Sequence, residues 1–160
     1  MKIGVVSDTH SHSIPKQLLD DFKTADLIIH AGDFCSTDDL NILKKIKEVR
    51  AVSGNMDGLA IRQILPVRDI FHLDGLTIGL YHGHGSPGKV LEIVQEEFKN
   101  DKIDILVFGH SHHPVNETIN DVLYFNPGSP NDVVRAPYCS YGILEIEDGD
   151  VHAKIIKVKE

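Results

Sequence analysis

Short apolar runs alternate with stretches of helical periodicity along the first third of this chain. Residues 2–7 (KIGVVS), 25–30 (ADLIIH) and 49–53 each read as a short buried strand, because runs this brief between turn signals suit strands better than helices. Between them, Ile14, Leu18, Leu19 and Phe22, and then Leu40, Leu43 and Ile46, recur at helical spacing and predict two amphipathic helices. Ser13 as N-cap with Pro15 in the first turn opens the first helix, and Ser36 with Asp39 resembles a capping box for the second. Residues 58–67 predict a single helical turn stopped at Pro66.

The rest of the chain carries hairpin signals. Asp74-Gly75, Asn120-Asp121 and Asp148-Gly149 each separate two strand-like runs: residues 68–72 from 76–81, 115–118 from 122–125, and 142–146 from 151–158. Ser86-Pro87 starts one more helix, whose Val90, Leu91, Val94 and Phe98 share a face, and residues 105–108 form a short strand leading into a histidine cluster. The order βαβαβ followed by hairpins and one further helix predicts a single α/β domain over residues 1–160 with a substantial antiparallel part.

Composition narrows the function classes. At 41% hydrophobic and 25% charged residues the chain reads as an ordinary soluble globular protein. No apolar run approaches a membrane span and the N-terminus lacks a signal-peptide layout, so a cytoplasmic protein without a membrane partner is expected. A net charge of −8 with no basic block argues against general nucleic-acid binding. It leaves room for a small phosphoester substrate, since bound metal ions would reverse the local potential. Self-association into a homo-oligomer stays open. Cys35 and Cys139 are too few for a disulfide framework or a thiolate zinc site and are expected as small buried hydrophobes.

The positions of the ten histidines matter more than their number. Just beyond the apolar strands stand Asp8 and His10, Asp33, Asn55, His82, and His110 with His112, most of them next to a glycine that admits close backbone approach. Open α/β sheets bind ligands at these carboxyl ends. Two carboxylates, four imidazoles and one amide exceed what one metal needs and suit two ions sharing a bridging group. Mixed nitrogen and oxygen donors without thiolate point to Mn, Fe, Zn, Co or Ni rather than Mg or Ca. Such a pair would outweigh the carboxylates and polarise a phosphoryl oxygen.

The remaining candidates read more plainly. His30, inside a strand, is expected as a buried, hydrogen-bonded imidazole; His12 and His113 as exposed neighbours of the cluster; His72 and His152 as surface residues. Lys89 reads as a solvated lysine, Arg62 and Arg135 as candidates for a distal phosphate, and residues 126–129 as a turn supporting the site.

Asp8-Thr-His10, Gly32-Asp33, Gly54-Asn55-Met-Asp57, His82-Gly-His84 and Gly109-His-Ser-His112 resemble, in order, the motifs of the calcineurin-like metallophosphoesterase superfamily. The short chain and Asn126-Pro-Gly-Ser129 resemble its small prokaryotic phosphodiesterase branch, to which the phosphoesterase-fold subunit of the eukaryotic retromer is related. The resemblance implies a four-layer sandwich of two mixed β-sheets flanked by helices. It implies one ion on Asp8, His10, Asp33 and His112 and a second on Asp33, Asn55, His82 and His110, with Asp33 bridging. It further implies a binuclear metal-dependent phosphodiesterase in which a metal-bridging hydroxide attacks phosphorus in line, manganese being the expected ion and nickel, zinc, iron or cobalt the alternatives. A non-catalytic protein-interaction scaffold of the same fold is the rival. Many superfamily members carry His after the Asn, where this chain has Met56. That departure leaves two readings, His84 as the general acid or a substrate whose leaving group needs little protonation, of which the first is preferred, with Asp57 expected to orient such a ring and Asn55 to help bind the phosphoryl group.

Overall fold

Side chains alternate between two cores along the first strand, β1 (Lys2–Val6): Ile3 and Val5 pack into one, Val6 into the other. This period of two is what a strand buried on both faces requires. The computed structural model describes residues 1–160 and repeats the pattern at β6 (Ile105–Val107), where Ile105 and Val107 face inward and Leu106 outward.

The chain runs β1, α1 (Lys16–Phe22), β2 (Leu27–His30), α2 (Thr37–Lys44), β3 (Val49–Ala51), α3 (Leu59–Arg62), β4 (Arg68–Leu73), β5 (Leu76–Tyr81), a 3-10 turn (Pro87–Lys89), α4 (Val90–Glu97), β6, β7 (Val115–Ile119), β8 (Val122–Asn126), β9 (Ser140–Glu147) and β10 (Asp150–Lys157). Two five-stranded mixed sheets result, in the orders β10-β9-β1-β2-β3 and β4-β5-β6-β8-β7. Within them β1, β2 and β3 pair in parallel, as do β5, β6 and β8, and the three hairpins β4–β5, β7–β8 and β9–β10 turn where the sequence predicts.

A central core of 14 buried residues joins the sheets, with Ile3, Val5 and Ile29 from one meeting Phe71, Ile78 and Phe125 from the other. On the outer faces Leu18 and Phe22 of α1 and Leu43 of α2 cover the first sheet, while Val90 and Val94 of α4 cover the second. The predicted four-layer sandwich is the observed fold. Fully burying side chains of this kind is worth about 1.5–3 kcal/mol each, so the sandwich is held chiefly by its three apolar layers. No helix is long and apolar enough to cross a membrane.

Local details differ from expectation at the helix starts. The first helix begins at Lys16 with Pro15 preceding it, so Ser13 lies outside and caps nothing. Ser36 does occupy the N-cap of α2 but makes no side-chain cap bond. Its expected partner Asp39 is instead buried, beside the Thr9–Ser11 loop, and burial raises its carboxyl above the usual range. Neither cysteine is fully buried.

Candidate metal centre

Both sheets deliver their parallel strand ends to one place. From the first sheet come the loops after β1, β2 and β3; from the second come those after β5 and β6. Close approach is what the glycines there permit: a Cβ on Gly54 would lie 2.2 Å from Asp33 Oδ1, and one on Gly109 would lie 2.0 Å from Ser7 Oγ. The left-handed turn after β6 is made by His110, at φ 69°, and not by Gly109. Asp8, His10, Asp33 and His112 also hold left-handed backbone, at φ of 58°, 50°, 61° and 59°. Asp and His tolerate this region better than most residues, yet each instance costs of order 1 kcal/mol, and such strain collects at functional sites.

The ligand-competent atoms fall into two groups, Asp8–His10–His112 and Asp33–His82–His110, each with its donor atoms within 4.8 Å of one another. Carboxylate oxygens lie between the groups. Asp33 Oδ2 is 3.7 Å from His10 Nε2 and 3.2 Å from His82 Nε2, and Asp8 Oδ1 is 3.3 Å from His112 Nε2 and 3.7 Å from His82 Nε2. His10 Nε2 and His112 Nε2 face each other at 3.1 Å, which two lone pairs tolerate only with a proton or a cation between them.

Supporting bonds fix which nitrogen is free. His82 Nδ1 bonds the Ala31 carbonyl at 2.7 Å and His112 Nδ1 bonds the Asp132 carboxylate, leaving Nε2 of each for the centre. His110 Nε2 bonds the Gly85 carbonyl at 2.7 Å, leaving Nδ1, which lies 3.0 Å from Asn55 Oδ1. Three buried polar atoms have no partner, Asp39 Oδ2 outside the centre and, within it, Asp8 Oδ1 and His82 Nε2. Unpartnered buried polar atoms are rare because each costs about 1–3 kcal/mol. The two within the centre point at one another across it, and the donor set fits divalent ions.

The electrostatics agree. Burial would raise the Asp8 carboxyl, but His82, His10 and His112 override it and hold it far below the ordinary range. Burial likewise works against Asp33, but the His82 imidazole 3.2 Å away nevertheless lowers it. Burial would push His82 down; Asp8 and Asp33 instead hold its imidazolium up to about 9. Two buried carboxylates thus call for positive charge at this spot.

All seven predicted ligands are brought to the two groups or to their edge, Asn55 through His110. His84 stays exposed, its ring edge-on to Tyr81, and lines a cavity of about 180 Å³ with Asn55, Arg62 and His82. Asp57 does not orient His84: its buried carboxylate accepts the backbone N–H groups of Asp33, Cys35 and Gly54, stapling two ligand loops together. Arg62 is largely committed too, bonding the carbonyls of Asp57 and Asn55, whereas Arg135 lines a larger cleft. Cys35 is not a mere hydrophobe, since its Sγ lies 3.3 Å from His10 Nδ1. His30 is the buried imidazole expected, accepting from Gly32 N–H and bonding Thr9 Oγ1. His12, His72, His113 and His152 are exposed, as is Lys89. The turn at residues 126–129 supports the site: Asn126 donates to the Gly109 carbonyl and Ser129 to that of Asp8.

Residues 1–149 match the calcineurin-like phosphoesterase superfamily domain. The chain belongs to that superfamily. A protein of Methanocaldococcus jannaschii named a probable metallophosphoesterase is 38% identical over 169 aligned positions, covering 100% of this chain and 83% of its own length. A structure titled as a novel archaeal phosphodiesterase superposes with a TM-score of 0.76 at 27% identity, over 98% of this chain and 100% of that one. Vps29 of Entamoeba histolytica complexed with zinc gives a TM-score of 0.76 at 27% identity, over 98% and 99% of the two chains. Within this phosphoesterase domain, sequence reasoning missed Asp132, Cys35 and Ser7, whose Oγ donates to Asp8 Oδ2 at 2.7 Å. Ser7 was legible as the residue before Asp8. Asp132 had no signal, lying 20 positions from His112 with no spacing rule to join them.

Proposed function

We propose that the protein is a binuclear metal-dependent phosphodiesterase. The observation carrying this reading is the pair of buried, unpartnered atoms, Asp8 Oδ1 and His82 Nε2, facing each other 3.7 Å apart between two donor groups. Asp8, His10, Asp33 and His112 would hold one divalent ion, and Asp33, Asn55, His82 and His110 the other, with Asp33 shared. Such ions, when bound, make hydroxide available at neutral pH and clamp the phosphoryl oxygens. The chain supplies the rest. Asn55, held by Arg62 through its carbonyl, binds a phosphoryl oxygen at the rim. Exposed His84 holds the proton that the departing oxygen takes, because Met56 has none to give. Without such an acid, activated diesters would be favoured over ordinary phosphomonoesters. Manganese is the ion we expect; the zinc bound to the Entamoeba relative keeps that metal in contention.

The rival scaffold reading draws on the Vps29 likeness and on Leu59, Ile64 and Val67, which stand 72%, 56% and 61% exposed beside the site. Turnover of bis(p-nitrophenyl) phosphate by protein purified without chelator separates the two. Phosphodiesterase action predicts metal-stimulated p-nitrophenolate release that Asp33→Asn abolishes, and on a diester with a poor alkoxide leaving group His84→Ala lowers turnover by about 10²–10⁴-fold. No metal-stimulated cleavage of any phosphoester would leave the scaffold.

A further inference from the structure

A cleft of about 530 Å³ opens on the imidazoles of His10 and His112 and is walled by Met56, Val133, Val134 and Arg135. Met56 is 60% exposed, Val133 84% and Val134 86%. Three bare apolar side chains beside a strongly polar centre contribute nothing to the core, and apolar concavities next to convergent polar groups are where small ligands seat.

The Val133–Val134 wall is fixed in place. Asp132 Oδ1 accepts the backbone N–H groups of Val134 at 2.9 Å and Arg135 at 3.0 Å, while its other oxygen bonds His112. Asn131 donates to the Thr9 carbonyl at 3.0 Å, tying the same segment to the Asp8 loop. One carboxylate therefore sets both the ring of a candidate ligand and the cleft wall beside it. Asp132 is the one carboxylate lining the cleft, and it is engaged, so no free anion faces the cavity.

We infer that this cleft seats an ester arm of the substrate, and that the arm is an uncharged, flat, aryl-type group. The inference rests on the phosphodiesterase reading. Valine and methionine offer no hydrogen bond to sugar hydroxyls, and Asn131 and Asp132 are engaged elsewhere. Along this wall the desolvation of hydroxyls goes uncompensated, His12 being the free polar neutral group of the lining. A thioether packs well against aromatic rings, and the planar guanidinium of Arg135 stacks on them. Val133 and Val134 are then specificity-determining residues.

Calorimetric titration of the manganese-loaded full chain with phenylphosphonate, methylphosphonate and phosphonoacetate tests this, because each presents one phosphoryl-like head and one arm and none is hydrolysed. Phenylphosphonate should bind about tenfold more tightly than methylphosphonate, the gain from removing one aryl face from water. Substituting Val133→Ser with Val134→Ser should bring that ratio towards one; both side chains are exposed, and a thermal melt confirms that the variant folds. Equal affinity for the two arms in the unmodified chain, an unchanged ratio in the variant, or tighter binding of the anionic phosphonoacetate would each overturn the inference. Binding of none of the three would instead strike the metal-centred reading beneath it, and the inference would fall with that reading.

Discussion

The Asp8–His10–His112 group rests chiefly on side chains, with one main-chain bond from His110 N–H to Asp8, whereas the Asp33–His82–His110 group rests chiefly on main chain, with one side-chain partner, Asn55, on His110. His112 leans on the Asp132 carboxylate, His10 lies against the Cys35 thiol, and Asp8 Oδ2 accepts from Ser7 Oγ. In the other group His82 bonds the Ala31 carbonyl, His110 the Gly85 carbonyl, and Asp33 Oδ1 accepts the Met56 N–H. A carbonyl cannot be substituted away, so the second group is as fixed as the strands that carry it. The first can be tuned one residue at a time, and it is the one that opens on the large cleft. Affinity and specificity are thus free to vary in one half while the other keeps the centre assembled.

The sharpest way to break this asymmetry is to remove what the halves share. Asp33→Ala takes away one of the two carboxylates lying between them and, on the proposed binuclear reading, should weaken binding of both ions by more than about a hundredfold, read by calorimetry with manganese on chelator-stripped protein. Retention of either ion at its original affinity would show that the groups do not share Asp33. Asp132→Ala acts on the first half only. It frees the His112 ring and should weaken one ion by about 10–100-fold while the other is held as before; uniform weakening would contradict the division.

His30 sits beneath both halves, bonded to Thr9 on one side and Gly32 on the other, and burial pushes its imidazole down to about 3 from 6.5. The neutral ring is required because Nδ1 accepts from Gly32 N–H. Its depressed folded value means that stability is fully present above pH 6.5 and is lost as pH falls towards 3. By pH 5 the loss amounts to about 2 kcal/mol. Chemical denaturation at pH 7 and pH 5 should show it, and His30→Gln should flatten that part of the profile; an unchanged slope would mean that other groups govern it. Smallest of all, Cys35→Ala removes only a weak acceptor from His10. It should alter affinity at the first half by less than about threefold. A larger change would make the thiol a stronger partner than its chemistry suggests.

The strands and the three hairpins were legible because each depends on local period and turn chemistry. Asp74-Gly75 and Asp148-Gly149 turn as any such pair between apolar runs does. The donor residues of the two groups were legible because strand ends converge in open α/β sheets. Helix starts were misread where tertiary demands took the capping residue, as with Asp39. Asp57 was misread for a similar reason: three backbone N–H groups from converging loops claim it before any neighbouring ring can.

Residue order alone specified which atoms are capable of binding metal and at which strand ends they stand, since periodicity and residue chemistry are written locally. Which nitrogen of each ring is free, that Asp8 as well as Asp33 lies between the groups, and that Asp132 joins His112 to the cleft wall emerged from the packed molecule. Those facts depend on contacts between segments far apart in the chain, set when two sheets close on a common core, and no spacing along the chain encodes them.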